Sequence, residues 1–161
     1  MPFYHQVVER FARTRIGGWM FVHVFNRIDR VVMGATKARF NTGAGTGFRA
    51  NAVLLICKGA RSGAERRVPL LSTPDGDNIV LVASKAGAPE HPAWYHNLKR
   101  NPACTVLRDG EMIACVAREA SGDERDRLWA LAVQNYSGYA SYQTRTDRVI
   151  PVMVLSPVAR A

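Results

Sequence analysis

The segment ACTVLRDGEMIACVARE, residues 103–119, leaves the chain little freedom. Two strand-forming runs flank Asp109-Gly110, a dipeptide suited to the positive φ angles of a type I′ hairpin turn. Taken as a two-residue loop, it sets Arg108 opposite Glu111, Val106 opposite Ile113 and Cys104 opposite Cys115. Register matters because a slip of one residue would turn every side chain to the other face. The count from the turn puts Cys104 and Cys115 on a hydrogen-bonded pair, with Cα atoms about 5.5 Å apart. The strand pleat gives poor disulfide geometry there, so two reduced thiols are expected.

Other short strands surround this hairpin. AVLLICK (52–58) is a continuous apolar run fit for a buried strand, and RRVPLLS (66–72) follows a Gly-bearing turn. NIVLVAS (78–84) comes after the tight-turn signal PDGD, and RVIPVMVLS (148–156) carries Pro151, which points to an edge position or a bulge. Helices lie between them. Pro92 opens a short one in which Trp94, Tyr95 and Leu98 form the buried side. A longer one begins at a capping box, Ser121 with Glu124, and has an apolar stripe of Leu128, Trp129, Ala132 and Val133. Residues 3–39 read as two basic amphipathic helices, interrupted at Gly17-Gly18 and ending at Gly34. They either pack on a core or lie on a membrane surface. The glycine-rich NTGAGTGFRAN connects them to the strands and does not follow a strand as a dinucleotide-binding loop would. The reading is an α+β fold, a small barrel closed by antiparallel pairing, with a ferredoxin-like sandwich as the alternative. One domain is expected over 1–161, with an N-terminal helical segment at 1–40 and the barrel core at 52–157.

Charge narrows the partners. Lys and Arg number 22 against 13 acids, a net +9, which favours nucleic acid, an anionic membrane or an acidic small molecule. Nucleic acid ranks last, because the strands lack closely spaced aromatic residues for base stacking. The three cysteines show no C-x-x-C pattern, and His91 and His96 are five apart, a poor spacing for ligands on one helical face. No metal site is expected. GGWMFV is far too short to span a bilayer and no secretory signal leads the chain, so the expected location is the reducing cytoplasm.

Three clusters could carry chemistry. KGARSGAERRVPL joins two strands through Gly59 and Gly63 and holds Lys58, Arg61, Ser62, Arg66 and Arg67, donors suited to a phosphate or carboxylate. Read alone, it could equally be a solvated surface turn. SKAGAPEHPAWYHNLKRNP leads from Ser84 and Lys85 into the Pro92 helix, whose start favours an anion. YSGYASYQ spaces Tyr136, Tyr139 and Tyr142 three apart, so the rings share one side and offer apolar faces to a flat ring system, or else cap the barrel structurally. No G-x-S-x-G context and no paired carboxylates stand out. A site with cationic anchors, aromatic rings and no acid–base pair is what a cofactor-dependent enzyme shows.

ARSGAERRVPL, LVASKAGAPEHPAWYHNLKRNP and YSGYASYQTRTDRVIPVMVL stand in the order and spacing of the deazaflavin-dependent nitroreductases, which this chain resembles from about Val53 to Pro157. These are actinobacterial proteins that use reduced coenzyme F-420. The resemblance implies a split β-barrel like that of flavin reductases, with the deazaflavin ring at the barrel edge and its phosphodiester and glutamate tail held by cations. It implies a coenzyme site of Arg61, Ser62, Gly63, Arg66, Pro69, Ser84, Lys85, Trp94, Asn97 and Lys99. It also implies an acceptor pocket lined by Tyr136, Tyr139 and Tyr142. Many members read Gly-Arg-Lys-Ser-Gly where this chain has Gly59-Ala60-Arg61-Ser62-Gly63, one cation fewer.

The expected reaction is hydride transfer from the reduced deazaflavin to a quinone or a nitro-heteroaromatic, with the companion proton from Tyr136, from another tyrosine, from Ser84 or from solvent. An FMN-dependent reductase and a non-catalytic binder of the deazaflavin or of a fatty acid are the alternatives. Exposed N-terminal helices would add peripheral contact with the inner face of the cell membrane.

Overall fold

The computed structural model of the chain describes residues 31–32, 35–36 and 51–158. The two helices expected before residue 40 lie outside these residues except at their end. There Ala35 is still helical, and the Thr36 amide donates to the Val32 carbonyl at 2.9 Å, so the stop expected at Gly34 comes too early.

Six strands run through the rest: β1 (Ala52–Lys58), β2 (Glu65–Asp75), β3 (Asn78–Val82), β4 (Ala103–Arg108), β5 (Glu111–Glu119) and β6 (Val152–Pro157). Three helices are inserted, α1 (Ala93–Arg100), α2 (Gly122–Asn135) and α3 (Gly138–Gln143). The strands close in the order β1-β2-β3-β6-β5-β4, and every pairing is antiparallel. Closure excludes the sandwich alternative and leaves no edge for Pro151, which immediately precedes β6. The strand read at 148–156 therefore starts later, and β2 runs longer than the expected 66–72.

The β4–β5 register is the one counted from the turn, with Arg108, Val106 and Cys104 facing Glu111, Ile113 and Cys115. Asp109 and Gly110 take φ values of 50 and 88°, as a type I′ turn requires. Pairing of β1 with β4 adds Cys57 opposite Cys104, so three free, buried thiols stand side by side on adjacent strands. Burial, then the two neighbouring thiols, push the Cys104 pKa up to about 12. Such thiols are poor nucleophiles.

Alternation along the strands divides the apolar residues. Val53, Leu55, Ile79, Leu81, Val106, Met153 and Leu155 fill the barrel together with Trp94 and Leu98 of α1. Each fully buried Leu or Val contributes roughly 1.5–3 kcal/mol. Leu54 packs instead with Leu107 in a separate cluster. On another face, Leu128 of α2 covers Val80, Val152 and Val154. The capping box expected at the start of α2 does not form. Ser121 makes no side-chain cap bond, and Glu124 is held instead by both ends of the Arg118 guanidinium at 2.6 and 2.7 Å.

Candidate cofactor cleft

Two turns and one helix border a cleft of about 1030 Å³. The first turn, Gly59–Gly63 between β1 and β2, is tied by its own backbone. Gly59 N–H donates to Ala64 O at 2.8 Å and Gly63 N–H to Gly59 O at 2.9 Å. Ser62 Oγ accepts from Ala64 N–H at 3.3 Å and from Arg66 Nη2 at 3.2 Å. A Cβ on Gly59 would sit 2.8 Å from Ser62 Oγ and 3.2 Å from the Ala64 carbonyl oxygen, so a larger residue would push the serine hydroxyl aside. Asn97 of α1 adds one tertiary tie, accepting the Ala60 N–H at 2.9 Å. The Arg61 guanidinium makes no hydrogen bond or ion pair among the described residues, and Arg67 is paired with Glu65 at 2.8 Å.

The second turn carries Lys85. Lys85, Ala86 and Gly87 have φ of 45, 54 and 80°, a single left-handed turn. Only glycine adopts that region freely, so the two non-glycine residues cost roughly 1–2 kcal/mol each. Gly87 is obligatory, since a Cβ there would lie 2.6 Å from the Tyr142 carbonyl oxygen. Lys85 Nζ donates to Glu90 at 3.2 Å, and this hydrogen bond holds the exposed Glu90 carboxyl below its usual range.

One residue of this site was not read from the sequence. Arg148, in the loop before β6, donates from Nε to Ala88 O at 2.9 Å and from Nη2 to Ser84 O at 2.9 Å and Ala83 O at 3.2 Å. Its Nη1 lies 3.0 Å from His91 Nδ1. A guanidinium can only donate, so Nδ1 accepts, which puts the proton of neutral His91 on Nε2. Burial, then the charges of Arg148 and His96, hold the His91 pKa below its ordinary 6.5, against an opposing pull from Glu119. The partners of Arg148 lie about sixty residues away in sequence, and an arginine in a Thr-Asp-Arg loop gives no local sign of them.

Trp94 lines the cleft and also packs in the barrel core. Asn97 also lines it, and its Nδ2 lies 3.8 Å from Cys57 Sγ. Lys99 points elsewhere: it donates to Glu119 Oε2 at 2.9 Å, the oxygen that also accepts from Tyr95 Oη at 2.9 Å. Burial pushes the Glu119 carboxyl up, but these two hydrogen bonds together with the charges of Lys99 and His91 outweigh it and leave its pKa lowered. Pro69 faces Leu54 across β1–β2 and, like Lys99, is not among the described cleft-lining residues.

Tyr136, Tyr139 and Tyr142 do come together, in a cluster 5–6 % exposed. Ring centroids lie 5.1 Å apart for Tyr136 and Tyr139 and 6.0 Å for Tyr136 and Tyr142, whose hydroxyls meet at 3.0 Å. A Cβ on Gly138 would run into the Tyr136 ring, so glycine there lets the ring fold over the start of α3. Burial holds the Tyr139 hydroxyl far above the usual phenol range, so it stays protonated and is a weaker acid than a free phenol. The tyrosines are not among the described residues lining the cleft. They pack on Ala86, behind the turn that presents Lys85.

A closed antiparallel barrel with a cationic, aromatic-walled cleft between its turns defines a split-barrel reductase of the flavin-reductase type. Residues 30–157 match the family model described as F420H(2)-dependent quinone reductase. The chain belongs to that family of oxidoreductases. It is 39% identical over 115 residues to the Mycobacterium tuberculosis protein Rv3178, covering 70% of this chain and 97% of that one. It is 38% identical over 107 residues to Rv1261c of the same organism, an F420H(2)-dependent quinone reductase, covering 65% and 72%. Among solved structures, the F420-H2-dependent reductase FDR-A superimposes with a TM-score of 0.62 at 44% identity, over 66% of this chain and 94% of that one. A domain-swapped dimer gives a TM-score of 0.64 at 37% identity, over 81% and 97%.

The cleft fits a polyanionic, aromatic coenzyme. Among the described residues, Arg61, Arg66, Arg67 and Lys85 line it against one acid, Glu65, and Trp94 and Val68 supply apolar wall.

Proposed function

We propose that this chain binds coenzyme F-420 with its acidic tail along Arg61, Arg66 and Lys85 and reduces a quinone. The observation that carries the reading is the facing of the two cationic turns across one cleft, within a chain of this family. When bound, the reduced coenzyme supplies a hydride from C5, and the protein's work is to bind, to orient and to provide a proton. Arg61 and Arg66 meet the tail's carboxylates and phosphodiester as donors, the guanidinium fork suiting both. Ser62 stays turned to Arg66 and keeps that fork in place. Asn97 and Trp94 set the wall against which the ring head rests. The companion proton of hydroquinone formation is assigned to the Tyr136 hydroxyl, which is bonded to Tyr142 and packed by Tyr139. This cluster is buried and does not line the described cleft, so the acceptor has to open it to reach the phenol. Nitro-heteroaromatics are proposed as a second acceptor class on the same geometry. Lys99, bound to Glu119, acts on the tail only at longer range.

Mixing the protein with F-420 and following its fluorescence, then adding menadione to the reduced complex, tests this reading. Quenching with reoxidation supports it. Quenching without reoxidation would make the protein a carrier, and bound flavin absorbing near 450 nm in the isolated protein would point to FMN. Tyr136→Phe should slow menadione reduction while leaving coenzyme affinity unchanged, and full activity in all three Tyr→Phe variants would refute the phenol donor. The basic segment 1–40 is proposed to hold the protein at the inner membrane face, where quinones dissolve. Recovery wholly in the soluble fraction at low salt would count against that. Among the described residues no helix is long and apolar enough to cross a membrane.

A further inference from the structure

We infer that Arg148 is a positioning residue for coenzyme binding: its guanidinium clamps both legs of the left-handed turn and so presents Lys85 to the cleft. This rests on the reading that Lys85 meets the coenzyme tail.

A left-handed run of Lys85 and Ala86 does not persist on its own preferences. Something must over-determine it, and the contacts of Arg148 do so. Ala83 O and Ser84 O precede the turn, while Ala88 O and His91 Nδ1 follow it, and one planar group bonds to all four. The separation of the two legs is thereby fixed by the rigid spacing of Nε, Nη1 and Nη2. A lysine could supply the charge but not the fork.

Arg148 is itself anchored. Gln143 Nε2 donates to Arg148 O at 2.8 Å, and Gln143 Oε1 accepts the Ile150 N–H at 2.9 Å. Gln143 ends α3, the helix that carries Tyr139 and Tyr142. On the far side, Gly87 lies against the Tyr142 carbonyl. The clamp therefore joins the tyrosine helix to the lysine turn, two groups that the coenzyme reading requires in fixed relation.

The test compares wild type, Arg148→Gln, Arg148→Lys, Lys85→Gln and the double variant Lys85→Gln/Arg148→Gln, each titrated with oxidised F-420 by fluorescence quenching. Arg148→Gln should raise Kd by about tenfold or more, since several hydrogen bonds from a charged group are lost. Arg148→Lys should rescue little of it. The double variant should bind no more weakly than the weaker single variant, because Arg148 acts through Lys85. With reduced coenzyme and menadione, KM for the coenzyme should rise more than kcat falls. Unchanged binding in Arg148→Gln would overturn the inference, as would strictly additive losses in the double variant.

Hydrogen exchange of the coenzyme-free protein separates this inference from the functional reading. The amides of Ser84–Ala88 should exchange faster in Arg148→Gln than in wild type, and equal protection would overturn the clamp. If Lys85→Gln binds F-420 as wild type does, the tail reading fails and the presentation of Lys85 for binding fails with it, whatever the exchange shows. Should Arg148→Gln fold poorly, Ala86→Gly supplies a second route. Placed in the Arg148→Lys background it should recover part of the binding, because glycine holds the left-handed turn without the clamp. No recovery would count against the strain argument.

Discussion

The two turns that border the cleft are held in opposite ways. Gly59–Gly63 closes on itself through backbone hydrogen bonds and the Ser62 hydroxyl, with Asn97 as its tie to a helix. Lys85–Gly87 is strained and depends on Arg148, a residue from the other end of the barrel core. The first turn carries its own instructions. The second becomes possible only after β6 has been laid beside β3. A cation on a self-sufficient turn is available early and tolerates change, whereas a cation on a clamped turn is placed more exactingly and is easier to lose.

Adding one methyl group to each turn separates the two cases. Gly87→Ala should show the largest effect, about 2–4 kcal/mol of stability, because a left-handed φ and a clash with the Tyr142 backbone act together. Coenzyme binding should weaken with it, and thermal unfolding combined with F-420 titration measures both. Removing the helix tie of the first turn is the counterpart. Asn97→Ala leaves the Ala60 amide without its acceptor and should cost about 1–2 kcal/mol. Its effect on binding should be several-fold and should not depend on Arg148, which a double-variant titration reads directly.

Acidification should loosen the clamped turn selectively. A proton on His91 removes an acceptor of Arg148 and sets two cations at hydrogen-bond distance. With the folded-state pKa below 6.5, the unfolded chain takes up the proton more readily. Stability is therefore fully present above pH 6.5 and is lost as pH falls through the lower folded value. The lowered carboxylates Asp75, Glu90, Glu119 and Glu124, of which Glu90 pairs with Lys85 on the clamped turn itself, lose their contributions only further down, below their ordinary values of 3.8 and 4.5. Melting temperatures of the coenzyme-free protein between pH 8 and 5 should fall more steeply for wild type than for His91→Gln. Equal slopes would remove His91 from the argument.

The smallest effect belongs to the self-sufficient turn. Gly63→Ala meets nothing within 4 Å and adds only the left-handed penalty at φ +68°, about 1 kcal/mol. Urea unfolding resolves a change of that size. A larger loss would mean that the first turn is less independent than its backbone bonds imply.

Local chemistry made much of the barrel legible. Asp109-Gly110 dictates a tight turn, alternation then assigns faces, and the β4–β5 register follows residue by residue to Cys104 and Cys115. The alignment of Cys57 with them was not legible, because it arises from pairing between strands nearly fifty residues apart. Ser121 and Glu124 show the reverse failure: the capping pattern was present, but Arg118 on the neighbouring strand offered Glu124 a stronger, charge-assisted partner.

For the site, the sequence by itself determined the inventory: a glycine turn with cations, a lysine before a proline-led helix, three tyrosines in step. Short-range geometry and residue chemistry suffice for that. Tertiary structure decided which of these groups share a cleft, turned Lys99 toward Glu119 and buried the tyrosines behind the Lys85 turn. It also supplied Arg148, whose acceptors exist as a set only once the closed barrel brings two distant loops within hydrogen-bond reach.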